Sequence, residues 1–188
     1  MSKPQVVSFI HMNDGTAQDY KLLASIEDEQ RAKFPDRVLG WLATMQDPSG
    51  YRITRLAHCL QAATRAYRAG EDEEFVVCAL LHDIGDHLCP DNHSEVAAAV
   101  LRPYISDRNY WILKHHGVFQ GVYYFHHVGL DPNARDRWKE HPHYQATVDF
   151  CERYDQVSFD PDYPTESLSF FEPMVRRILS RPRSQLRA

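Results

Sequence analysis

Seven consecutive apolar residues, Phe75 to Leu81 (FVVCALL), lead directly into His82 and Asp83. Asp72, Glu73 and Glu74 open this stretch, where the positive end of a helix dipole favours carboxylates, and Gly85 closes it. A helix that is apolar all round is a buried helix. The pattern therefore predicts a central helix over 72–84 that ends, inside the protein, on an imidazole and a carboxylate. A buried lone charge is costly unless it is paired or coordinated. Asp83 needs a cation.

The rest of the chain follows the helical period. Helices are expected over 19–34, from Pro35 through Leu42, over 53–69, 93–101, 107–116, 133–139, from Pro142 through Asp155, and over 168–180. Turns fall at 47–50 and after Gly85. The segment after His116 (GVFQGVYYFHHVG) reads as broken by its glycines. No stretch alternates as a strand would. The expected fold class is all-α, in a single domain over 1–181 with its core at about 51–157. The polar tail 182–188 is expected to be disordered. A length of 188 residues suits one domain and is short for two.

A net charge of −5 argues against a nucleic-acid partner or an anionic membrane surface. No apolar run approaches a membrane span, and the N-terminus lacks the apolar core of a signal peptide. The four cysteines, Cys59, Cys78, Cys89 and Cys151, show no CxxC spacing and read as free thiols. These features lead us to expect a cytoplasmic, monomeric protein. Histidine stands out: the chain has eleven, and histidine is the commonest metal ligand.

Leu80-Leu81-His82-Asp83-Ile84-Gly85 resembles the signature of the HD superfamily, whose paired His and Asp bind a divalent metal. The resemblance implies two further ligands. One is His58 on the preceding helix, 24 residues upstream; the other is a late aspartate, for which Asp155 fits. The chain also offers His93, ten residues after Asp83, and His116. Both are expected at helix ends, as a second metal would need. Asp83 would then bridge, with His58, His82 and Asp155 on one ion and His93 and His116 on the other. His115 competes with His116, which is favoured by the apolar Ile112 and Leu113 before it. Imidazole and carboxylate suit iron or another first-row metal.

The six-residue pattern is similar to the HD-domain mixed-valent diiron oxygenases, which include myo-inositol oxygenase and bacterial organophosphonate-cleaving oxygenases. The likeness runs from Tyr51 to about Asp155 and is carried by GYRITRLAHCLQAATRA, ALLHDIGDHL, NHSEVAAAVLRPY, YWILKHHGVFQGVYY and HPHYQATVDFCERYDQVSFDPDY. It implies two Fe ions in an Fe(II)/Fe(III) state, O2 as co-substrate and a small phosphonate substrate. The implied reaction cleaves the C–P bond of (R)-1-hydroxy-2-(trimethylammonio)ethylphosphonate to give glycine betaine and phosphate.

Two departures bear on the substrate. Relatives acting on a primary amine carry a glutamate seven residues before the first ligand histidine; here that residue is Tyr51. A trimethylammonium has no N–H to donate and prefers aromatic faces, so Tyr51 and Tyr124, with some of Phe119, Tyr123 and Phe125, are candidate cage residues. Those relatives also place a phosphonate-contacting lysine four residues after the last ligand histidine, where this chain has Gln120. Arg153, Asp86, His87 and Lys114 are the alternative contacts. A competing expectation is a one-metal HD phosphohydrolase acting on a nucleotide or small phosphate ester, using only His58, His82, Asp83 and Asp155. A third is a non-catalytic regulator on a decayed HD fold.

Overall fold

The computed structural model describes residues 5–183. Its regular structure is all-helical, with no strand among the described residues. The helices are α1 (Ala17–Ala32), α2 (Phe34–Ala43), α3 (Arg55–Arg68), α4 (Glu73–Leu81), α5 (His93–Leu101), α6 (Asp107–Tyr124), α7 (Tyr144–Phe150) and α8 (Leu168–Leu179). Short 3-10 turns lie at Pro90–Asn92, Phe125–His127 and Ala134–Trp138.

Helix starts are set by side chains that accept otherwise unsatisfied backbone N–H groups. Thr54 Oγ1 accepts from the Ala57 N–H (3.1 Å) at α3, and Asp72 Oδ1 accepts from the Phe75 N–H (2.8 Å) at α4. At α6, Ser106 Oγ accepts from the Asn109 N–H (3.3 Å). Gly70 turns the chain between α3 and α4 at φ +80°, a left-handed conformation that costs glycine little. The two helices form a hairpin. Every residue of α4 from Phe75 to Leu81 is buried, and α3, α6 and α8 pack around it.

Several expected helix boundaries move: the central helix stops at Leu81, and the helix expected over 133–139 is a 3-10 turn. Two further movements matter most to the site. The helix expected to stop at His116 runs on to Tyr124. Gly117 and Gly121 do not break it, because an interior glycine costs only about 0.5–1 kcal/mol and packing overrides that. They let neighbours approach: the Phe125 ring fills the space a Cβ at Gly121 would need, and Ser94 Oγ lies 2.8 Å from the Cβ position of Gly117. His116 therefore sits within a helix, with Gln120 one turn later on the same face. The long helix expected through Asp155 instead ends α7 at Phe150 and continues as a π-helical turn, Cys151–Asp155. Its wider bond, from the Gln156 N–H to Cys151 O (3.0 Å), redirects the chain beyond Phe150, and Asp155 is buried.

Residues 184–188 of the polar tail lie outside the described residues. Arg183 lies within them: its N–H donates to Pro103 O (2.7 Å), and Nη1 is 2.5 Å from Glu74 Oε2. No helix among the described residues is long and apolar enough to cross a membrane. The four cysteines are free, and Cys59, Cys78 and Cys151 are buried.

Gly85 lies in the turn after α4 and packs against the start of α5. A Cβ there would lie 2.7 Å from the backbone oxygen of His93 and 2.9 Å from Val96 Cβ, neither of them a yielding side-chain tip. Gly85→Ala should push α5 away from α4, at the roughly 1–3 kcal/mol typical of overpacking. We expect a lower urea midpoint for the metal-free protein; an unchanged midpoint would mean the contact is slack.

Candidate metal centre

Five separate elements carry six side chains to one point. His58 lies in the first turns of α3, His82 and Asp83 directly follow α4, His93 opens α5, His116 lies within α6, and Asp155 closes the π turn. Five of the six are buried; the His93 side chain, at the rim, is 25% exposed.

The histidine rings are all oriented in the same way. His58 Nδ1 lies 2.9 Å from Ser158 O, His82 Nδ1 2.8 Å from Ala79 O, His93 Nδ1 3.1 Å from Pro90 O, and His116 Nδ1 2.7 Å from Leu113 O. A carbonyl oxygen can only accept, so each Nδ1 carries the proton and donates it. The neutral ring then presents a bare Nε2 lone pair, and all four lone pairs face the same centre. The Nε2 atoms of His58 and His82 are only 3.0 Å apart. Two lone pairs do not meet at that distance without a cation between them, either a shared proton or a metal ion. Backbone carbonyls that hold the far nitrogen are the usual support of metal-bound imidazole.

Asp83 divides its two oxygens between two groups. Oδ2 lies 3.5 Å from both His58 Nε2 and His82 Nε2, while Oδ1 lies 3.2 Å from His116 Nε2 and 3.5 Å from His93 Nε2. Asp155 Oδ1 completes the first group, 3.3 Å from His58 Nε2 and 3.6 Å from His82 Nε2. Such donor–donor spacings are the edges of a coordination shell with bonds of about 2.0–2.2 Å. Two overlapping sets could each hold a metal ion: His58, His82 and Asp155, and His82, Asp83 and His116. The donor chemistry fits the metal that the HD signature implies.

Burial works against charge on Asp83, yet the imidazoles of His82, His116 and His58 outweigh it and hold the carboxyl well below the usual range. Asp155 behaves alike: burial pushes it up, and His82 and His58 pull it down further. In return, burial would lower His58 and His82, but Asp155 and Asp83 raise both above an ordinary histidine. Without metal, a proton is the cation these groups share.

A cavity of about 90 Å3 opens onto this centre. Besides five of the six side chains, all but His82, its wall holds Tyr51, Arg55, Asp86, Gly117, Gln120, Tyr124 and Phe159. Of the residues singled out from sequence, Tyr51, Asp86, Gln120 and Tyr124 come to this wall. Gln120 carries a buried Oε1 with no hydrogen-bond partner among the described residues. His87 is exposed and Arg153 half-exposed, and neither lines the cavity; Arg153 Nη1 is 3.8 Å from Glu71 Oε1, with its guanidinium 5.1 Å from the Tyr154 ring centre. Lys114 borders an adjoining groove, Phe119 is core, and Phe125 packs edge-on against Tyr124. His115 turns away from the centre and stacks on Trp111 (3.8 Å between ring centres).

Sequence reasoning missed Arg55 and Phe159. Phe159 stacks on His58 (4.3 Å) and packs against Tyr51 (4.7 Å). Gln61 holds this segment to α3, its Nε2 donating to Asp160 O (2.6 Å). The only sequence cue was an aromatic four residues past Asp155. Arg55, three residues before His58, was visible as a basic residue on the ligand face of its helix.

The charge pattern makes stability depend on pH and metal. The folded His58 and His82 titrate above their unfolded value of about 6.5, so their contribution is complete below that pH and is lost as pH rises through the raised values. Asp83 and Asp155 contribute above about pH 4 and lose their contribution as pH falls further toward their depressed values. The metal-free protein should therefore lose stability as pH rises above about 6.5. A bound metal supplies the cation instead and should flatten that slope, with protons released on loading. Denaturation midpoints with and without metal measure this; identical slopes would contradict the shared-cation account.

No curated protein matches this chain. The HD domain family matches residues 55–156, more than half of the sequence. That span opens three residues before His58 and closes one residue after Asp155, so it contains all six convergent side chains, and the chain belongs to the HD-domain family, typically metal-dependent enzymes.

Proposed function

We propose that this protein is a diiron HD-domain oxygenase that cleaves the C–P bond of (R)-1-hydroxy-2-(trimethylammonio)ethylphosphonate with O2, giving glycine betaine and phosphate. The reading rests above all on Asp83, whose two oxygens face different histidine groups. A one-metal hydrolase needs only the His58, His82, Asp83 and Asp155 side; it gives no use to His93 and His116 beside the other oxygen.

His58, His82, Asp155 and Asp83 Oδ2 would hold one iron, and His93, His116 and Asp83 Oδ1 the other. The irons would supply Lewis acidity and the redox capacity to engage O2. The reaction balances without an outside reductant: C1 gives up its C–H and C–P bonds, one oxygen atom ends in the new carboxylate and one in phosphate, and a proton is released. The protein's part is placement and exclusion of water. The backbone carbonyls lock the four rings. Asp83 keeps its negative charge between the two groups. Gln120 Oε1, without a donor among the described residues, can accept from the C1 hydroxyl. Tyr51, Phe159 and Tyr124 give the trimethylammonium an aromatic wall that needs no hydrogen-bond donor from the ligand.

His116→Ala or His93→Ala should lower iron from two to about one per chain and abolish phosphonate-dependent O2 uptake. Metal analysis and oxygen-electrode traces read both. Full turnover in either variant would leave the second metal without a role.

Tyr51 tests the amine end. A cation–π contact of about 0.5–2 kcal/mol corresponds to roughly two- to thirty-fold in kcat/KM. Tyr51→Ala should lose that much on the trimethylated substrate while keeping both irons. Tyr51→Glu should narrow or reverse the preference over the primary-amine analogue, because a carboxylate pairs with an ammonium that donates hydrogen bonds. The ratio between the two substrates cancels any loss at the phosphonate they share. Unchanged ratios in both variants would remove Tyr51 from amine recognition.

A further inference from the structure

Among the twelve residues lining the cavity, Arg55 is the only lysine or arginine. It stands in the first turn of α3, one turn before His58, and its side chain is 19% exposed. Its Nε lies 2.8 Å from Asp86 Oδ2, and Nη1 lies 3.4 Å from Asp83 Oδ2. Its guanidinium carbon is 4.8 Å from the centre of the Tyr51 ring. The head group is thus held by a carboxylate at its inner nitrogen and an aromatic face beside it, with Nη1 toward the metal side. We propose that Arg55 is the phosphonate anchor: its outer nitrogens bind the anionic oxygens of the substrate while Asp86 and Tyr51 hold the guanidinium in place.

The charges favour this role. The cavity wall carries three carboxylates (Asp83, Asp86, Asp155) and one guanidinium, a balance of −2 before metal. An Fe(II)/Fe(III) pair would bring it to +3, an excess that suits a dianion. Once Asp83 serves two cations, its hold on Arg55 weakens, and like charge keeps the guanidinium from closing on the metals. The shorter contact to Asp86 remains. Arginine's planar fork matches two oxygens of a tetrahedral anion, which a single ammonium cannot do in the same way. The anchor and the aromatic wall are also neighbours, as they must be for a substrate whose phosphonate and ammonium are separated by only two carbons.

The identity of the anion rests on the oxygenase reading, so the test uses binding rather than turnover. The probes are inorganic phosphate and methylphosphonate, titrated calorimetrically into iron-loaded protein. Arg55→Gln should raise both dissociation constants at least ten-fold with two irons retained, and Arg55→Lys should give a smaller loss. Arg153→Gln, at the other basic candidate, should change them less than two-fold. A value for Arg55→Gln within two-fold of wild type overturns the proposal, as does wild-type protein that binds neither probe. A measurement on the unmutated chain guards against misfolding: saturating methylphosphonate should slow phenylglyoxal labelling of Arg55, read by peptide mass spectrometry, at least five-fold. Unprotected labelling overturns the proposal equally. Loss of O2 uptake with anion binding intact would count against the oxygenase reading alone.

Discussion

Four imidazoles with their protons committed to backbone carbonyls cannot face one another without a cation, and the whole fold is arranged around that demand. The carbonyls belong to Ser158, Ala79, Pro90 and Leu113. Three of them, Ala79, Pro90 and Leu113, lie three residues before their own histidine, and the fourth arrives from the segment after the π turn. Each ring is therefore aimed by a different part of the chain, and none can be re-aimed without moving backbone. The buried carboxylates of Asp83 and Asp155 supply the negative charge that makes cation capture favourable. A cluster of this kind gains stability from an ion and loses it when the ion leaves.

The packing serves the same end. α4 is apolar all round because it must pass through the core to deliver His82 and Asp83 to the interior. α3 runs beside it and brings His58 and Arg55 from the other arm of the hairpin. α6 extends past Gly117, where the missing side chain makes room for Ser94 and brings the start of α5 close to the His116 helix. That contact keeps His93 within reach of Asp83 although its side chain is partly exposed. Glycine here governs the distance between two helices, not the ending of one.

Much of the candidate site was legible because its chemistry is written in residue types. An apolar run that ends on His82-Asp83 can hardly be placed elsewhere than in a core, and the other histidines could then be sought around it, although His116 proved to lie within its helix and not at the end expected for it. What could not be read is backbone geometry. Sequence has no symbol for a π turn, so the stretch before Asp155 looked like an ordinary helix. It has none for a carbonyl aimed at Nδ1, and those carbonyls fix the tautomers on which the metal argument depends. Gly117 and Gly121 were read as breaks because local propensity is visible and the tertiary contacts that override it are not. Arg153 and His87 were alternative phosphonate contacts in the sequence, but both lie outside the cavity.

Arg55 illustrates the converse. Attention in sequence went to the position four residues past His116, where Gln120 stands, because the phosphonate oxygenases that the sequence resembles keep a lysine there. A cavity, however, is supplied by every element that borders it, and the one guanidinium on this wall comes from α3, not α6. Three residues before His58 is one helical turn, which puts Arg55 on the face that carries the ligand. Its partner Asp86 lies in the turn after Asp83, so the same chain reversal that delivers the buried carboxylate also delivers the group that steadies the guanidinium. The candidate metal site and the arginine proposed to face the anion thus draw on the same two segments, and any change that shifts the end of α4 relative to the start of α3 moves both together.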